Sequence, residues 1–211
     1  MRTRLWIEFL IFFIGVPAAL AVHPTRIGGH TCLWLFSLYA LWVLRNTRRF
    51  SWHDLWHGKG WSHAQKKQAL MRFITATAAV VIFAGMIVPQ RLFSFPLQRP
   101  RFWLLVMLLY PILSALPQEL AFRSFFFRRY GKFFGSGASM IMVNALLFGF
   151  IHGMFHNWVS PFLSVIAGAL FAYSYTQHRS LKWATVEHAA YGCMVFTVGI
   201  GFYFLVGAFR P

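Results

Sequence analysis

Three stretches of an otherwise apolar chain carry side chains that can move protons: Gln118-Glu119-Leu120-Ala121-Phe122-Arg123, Phe148-Gly149-Phe150-Ile151-His152, and Glu187-His188. Only four acidic residues occur in 211 positions, and Glu119 sits one helical turn before Arg123 in a hydrophobic run. A carboxylate in a hydrocarbon-facing segment costs roughly several kcal/mol unless it is paired or lines a wet cavity. Such a residue needs a reason, and so does each intramembrane histidine.

A carboxylate and two imidazoles in a desolvated cavity suit three chemistries. They can activate a water for attack on a carbonyl, ligate a divalent metal that does so, or relay protons in a transporter. The plain structural readings stand beside these: Glu119 and Arg123 at i, i+4 neutralise each other, and a lone histidine packs through one hydrogen bond. Glu187 can bond a neighbouring helix or Lys182. His53 and His57 share a helix face at metal spacing, but a solvated interfacial helix is the better reading of them. The chain has no His-Glu-x-x-His helix, serine elbow or pair of intramembrane aspartates.

The elements that must hold these residues are membrane helices. Hydrophobic residues make up 58% of the chain and charged ones 11%, which excludes a soluble domain of this size. Apolar runs near 5–22, 31–44, 69–88, 102–116, 138–155, 158–176 and 181–208 approach the ~20 residues a span needs. The last is long enough for a second, re-entrant helix after a break at Gly199-Ile200-Gly201, so the spacing predicts an all-α polytopic bundle of seven to eight spans. Gly131 reads as the stop of the helix carrying Glu119, and Gly149 and Gly153 as a small-xxx-small packing pair. At ~1.5 Å per residue, Glu119, His152 and His188 lie roughly 16, 22 and 12 Å from the inner ends of their helices, all in the middle of a ~30 Å core.

The net charge of +16 is dispersed between apolar runs, which argues for topology and anionic-lipid contact and against nucleic acid. With the N-terminus in the cytoplasm, 15 of the 20 Lys and Arg fall inside; Arg26, Arg91, Arg99, Arg101 and Arg210 fall outside. The first apolar run lacks a small-residue cleavage site and reads as a retained span. Cys32 and Cys193 stand alone and imply no disulfide or redox centre. The loop 45–67, with Trp52, Trp56 and Trp61 among basic residues, belongs at the headgroup boundary.

In order and spacing, Gln118-Glu119-x-x-x-Arg123, Phe148-x-x-x-His152 and His188 resemble the CPBP intramembrane protease family, which includes type II CAAX prenyl endopeptidases and bacteriocin-processing or immunity (Abi-like) proteins. The resemblance covers residues 102–204. It implies a protease core over 102–211, behind N-terminal helices and a basic interfacial loop over 1–101. It also implies an endopeptidase acting on a membrane-associated peptide or protein, in the inner membrane of a bacterium.

By position, Glu119 would be the base, His152 its partner, His188 an oxyanion donor or second base, with Gln118, Arg123 and Phe148 in support. Glu119, His152 and His188 are also the set for a metal such as zinc, if the family's disputed metal role applies; the cofactor is a metal or none. Two positions depart from the family pattern. Gln118 stands where the first glutamate of Glu-Glu-x-x-x-Arg would be, and an amide cannot take a proton. Gly192 stands where an asparagine would follow His188, so Asn144 and Asn157 become candidates for the missing donor. Adjacent helical residues point roughly 100° apart, so Glu119 reaches the position of Gln118 only through a local change of winding, which Pro117 permits. A non-catalytic scaffold or immunity protein, and a small transporter with a Glu/His relay, are the alternatives. Substrate and oligomeric state are not encoded in these motifs.

Overall fold

The computed structural model describes residues 2–23, 28–48 and 50–205; Arg26, Arg49 and Arg210 of the charge argument lie outside them. Every described element is helical. Five helices are long and apolar enough to cross a membrane: α1 (Thr3–Val22), α4 (His63–Ile87), α5 (Pro100–Phe134), α6 (Ala138–Phe155) and α7 (Val159–His178). Two more 18-residue helices, α2 (Gly28–Arg45) and α8 (Leu181–Val198), do not meet that measure, because His30 and Arg45 lower the one and Lys182 and Glu187 the other. The short α3 (Trp52–His57) lies between α2 and α4. The expected seven to eight spans therefore reduce to five by length and composition among the described residues. The chain does break at Gly199, as expected, but a four-residue 3-10 turn, Gly201–Phe204, follows.

The connecting segments gather at two ends. At one, the Lys59 amide donates to the His178 carbonyl at 2.7 Å, Ser180 Oγ donates to the Trp56 carbonyl at 2.6 Å, and Trp61 stacks on Trp183 at 5.2 Å. At the other, the Phe93 amide donates to the Val198 carbonyl at 3.0 Å, and Asn157 donates to the Tyr203 carbonyl at 2.8 Å. The tryptophan-rich loop is thus pinned on the α7–α8 turn. Within it, Ser51 caps α3 and a Ser62–Gln65 capping box starts α4. His53 and His57 stack at 4.8 Å on its exposed face, the solvated reading.

Helix α5 carries the site, and its winding is irregular for a readable reason. Pro111 and Pro117 have no N–H to donate one turn back, so the Met107 and Leu113 carbonyls lose their helical partners. Neighbouring helices supply replacements: Cys193 Sγ of α8 reaches the Met107 carbonyl at 4.0 Å, and Trp34 Nε1 of α2 donates to the Leu113 carbonyl at 3.1 Å. Ser37 donates to the Pro117 carbonyl at 2.8 Å. Two π-helical turns, Pro111–Ala115 and Leu120–Phe125, flank the four residues Leu116–Glu119. Such turns are often found at functional sites.

Helices α6 and α7 pack closely through glycine. A Cβ on Gly149 would meet Val165 Cγ2 at 2.2 Å, and one on Gly168 would meet the Ala145 backbone at 3.1 Å. Gly153 has nothing within 4 Å of its added Cβ, so the expected Gly149/Gly153 pair is corrected to Gly149 and Gly168 on facing helices. Gly131 is likewise not a stop. Helix α5 runs on to Phe134 because Phe126, Phe127 and Tyr130 bury their rings, and it ends at Gly135 with a φ of 75°. Glu8, Arg129, Tyr39 and Tyr130 lock α1, α2 and α5 together: Arg129 grips both carboxylate oxygens at 2.8 and 2.9 Å, and the two phenols donate at 2.6 and 2.7 Å.

Candidate active site

Glu119 and Arg123 are fully buried, with Arg123 Nε 3.2 Å from Glu119 Oε2. That contact joins charges without hydrogen-bond alignment, since neither atom has a hydrogen-bond partner among the described residues. Arg123 Nη1 donates to Asn144 Oδ1, and Asn144 passes its own amide hydrogen to the Phe122 carbonyl at 2.7 Å. The guanidinium faces the Phe148 ring at 5.1 Å and the Phe171 ring at 5.9 Å.

The other carboxylate oxygen, Glu119 Oε1, lies 2.8 Å from His188 Nδ1. A carboxylate only accepts, so Nδ1 carries the proton. The opposite nitrogen, His188 Nε2, lies 3.0 Å from the Tyr110 hydroxyl. One line therefore runs from carboxylate to imidazole to phenol, the order in which an orienting acid holds a histidine tautomer. Helix α8 presents His188 to this line, while the adjacent Glu187 turns away to Ser174 at 3.0 Å and Arg72 at 3.5 Å. Glu187 is a helix-to-helix tie, one of the structural readings its sequence allowed.

His152 ends α6. Its Nδ1 donates to the Phe148 carbonyl at 2.6 Å, which leaves the lone pair of neutral imidazole on Nε2. The Phe148 ring touches both imidazoles, at 4.8 Å to His152 and 5.6 Å to His188.

Both histidines line a cavity of about 380 Å³ walled by aliphatic side chains of α4, α5, α7 and α8, with His30, Phe155 and Phe204 also in its lining. Gln118 stands on that wall too, its amide nitrogen tied to Ser114 Oγ at 2.8 Å and its amide oxygen left to accept. Glu119 sits behind the wall. The change of winding that the sequence required is present, yet it turns Glu119 to His188 and Arg123 and leaves Gln118 facing the cavity.

Glu119, His188 and Arg123 thus come together, with Phe148 beside them; His152 joins them only through the shared cavity. Among the described residues no three of His, Cys, Asp and Glu are grouped to hold a metal ion, and the Glu119 oxygen nearest His188 lies against Nδ1. Neither asparagine supplies the missing donor. Asn144 is committed to Arg123, and Asn157 to the turn before α7 through the Tyr203 carbonyl and the Ser160 amide. Sequence reasoning missed Tyr110 and His30, neither of which stands in a motif.

Fold and site define a helical membrane protein with a buried, carboxylate-backed histidine on an apolar cavity. Residues 100–194 match the family described as Rce1-like, type II CAAX prenyl endopeptidase Rce1-like, the relationship that the three motifs resemble. The matched stretch contains Glu119, Arg123, His152 and His188. Curated proteins and solved structures give no match.

Proposed function

We propose that this chain is an intramembrane endopeptidase that hydrolyses a peptide bond of a membrane-associated peptide or protein, with 102–211 as the protease core and 1–101 as its supporting helices. The observation that carries the reading is the presentation of two differently prepared imidazoles to one apolar cavity. His152 offers a free Nε2, and His188 is backed by Glu119.

A water held between His152 Nε2 and the Gln118 amide oxygen gives its proton to His152 as it attacks the carbonyl carbon. His188, with a carboxylate against Nδ1, is the imidazole best able to carry positive charge beside the developing oxyanion. The proton on His152 then passes to the departing amine, so base and acid are one residue. Glu119 acts through His188 in place of taking the water's proton itself, and Arg123 fixes its direction.

Purified chain in proteoliposomes, given a farnesylated CAAX peptide and its unprenylated twin, tests the reading by mass spectrometry. Cleavage of either that is lost in His188→Ala is the expected result; intact peptides throughout would overturn it. The second reading, a binder that does not cut, is favoured by Gln118 on the cavity wall. Retained peptide binding without product distinguishes it.

We read the ends that carry most of the Lys and Arg, the N-terminus among them, as cytoplasmic, because cytoplasmic loops carry the excess of positive charge. A cysteine at exposed Leu97 is expected to react with a membrane-impermeant maleimide in spheroplasts, and one at Lys59 only after lysis. The opposite pattern would invert the chain.

A further inference from the structure

We infer that Tyr110 is a positioning residue of this site, seated by the absence of a side chain at Gly192, and that its hydroxyl sets the state of His188 Nε2. Three observations carry this. The phenol oxygen lies 3.0 Å from Nε2, on the side opposite Glu119. The ring edge also lines the cavity that holds His152 and Gln118. A Cβ on Gly192 would stand 2.2 Å from Tyr110 Cε1 and 2.3 Å from Cζ and the hydroxyl oxygen. Gly192 is therefore a vacated volume that Tyr110 fills, and any side chain there evicts the phenol.

The chemistry follows from what a hydroxyl can do at that nitrogen. Toward neutral His188 it donates, holding the lone pair of Nε2. Toward the imidazolium it accepts from Nε2–H, and its own hydrogen is then free to turn into the cavity as a donor. Tyr110 thus serves both charge states of His188, and phenylalanine would serve neither. The packing is independent of the hydroxyl: the ring meets Phe196 at 5.6 Å, a contact that phenylalanine keeps.

The inference rests on the endopeptidase reading for its kinetic arm alone. Full-length chain in detergent is treated with diethylpyrocarbonate, which acylates unprotonated imidazole nitrogen, and each histidine is read by peptide mass spectrometry. In the parent chain His152, with a free Nε2, reacts faster than His188. Tyr110→Phe is expected to raise His188 acylation by roughly fivefold, the loss of one ordinary hydrogen bond, while His152 is unchanged. Gly192→Ala is expected to do the same by displacing the ring. With the farnesylated peptide, Tyr110→Phe lowers kcat and leaves KM in place.

Unchanged His188 acylation in both variants would overturn the contact. Raised acylation with full kcat would overturn the positioning role. If the parent chain cleaves nothing, the endopeptidase reading fails, and the acylation pattern still decides whether Tyr110 governs His188.

Discussion

Arg123→Ala should lower the thermal stability of the detergent-purified chain by roughly 10 °C. Removing one member of a buried ion pair costs about 3–5 kcal/mol, and each kcal/mol is worth about 2–4 °C for a chain of this length. The substitution leaves the Glu119 carboxylate wholly buried with His188 as its remaining polar neighbour, strips Asn144 of a partner, and removes the cation facing Phe148 and Phe171. A double change to apolar residues, Glu119→Leu with Arg123→Met, removes both charges and should melt much closer to the parent, because well-packed hydrocarbon often equals a buried pair. It should nevertheless cleave nothing, since His188 has lost its orienting acid. Thermal unfolding followed by a thiol-reactive dye at the two cysteines reads the stability. If Arg123→Ala melts with the parent chain, the pair is not the buried keystone described.

His152→Ala should separate activity from stability in the opposite way. The ring is half-buried at the end of α6, and its one polar bond is to the Phe148 carbonyl of its own helix, so the fold loses little. Peptide cleavage should fall by about 10²–10⁴-fold, the usual worth of a general base. The kcat on the farnesylated peptide is the measurement, with circular dichroism and melting as controls. A variant that retains cleavage within a factor of about three removes His152 from the base's role. His188, with Glu119 behind it, would then be the candidate for that role.

Much of this was legible in the sequence because burial of charge is expensive. Glu119, His152 and His188 were expected at one depth for that reason, and Glu119 and His188, 69 positions apart, are in contact. The helices followed from the apolar runs, α2 and α8 included, although their polar residues leave these two short of the hydropathy of a span.

What could not be read was which way the altered winding would turn each side chain. On a regular helix Tyr110 and Glu119, nine residues apart, point to opposite sides. A π turn at 111–115 adds about one residue to the count per turn and brings both toward His188. The same cause hid the division of labour at 118 and 119. Gly192, read as the place of a missing donor, also borders the Tyr110 ring, a contact between distant positions that no motif announces. Gly131 and Gly153 show that a glycine in a sequence does not announce whether it ends a helix, admits a neighbour or does neither.

The knot of Glu8 with Arg129, Tyr39 and Tyr130 has a consequence for how the chain is made. Synthesis from the N-terminus delivers Glu8 to the bilayer 121 residues before Arg129 exists, with Tyr39 as its first hydrogen-bond donor. Helix α1 therefore meets its bidentate partner only when α5 arrives, whereas α5 carries Glu119 and Arg123 together on one helix. His188 comes later still, on α8, so the proton-handling site closes only once α8 has joined α5.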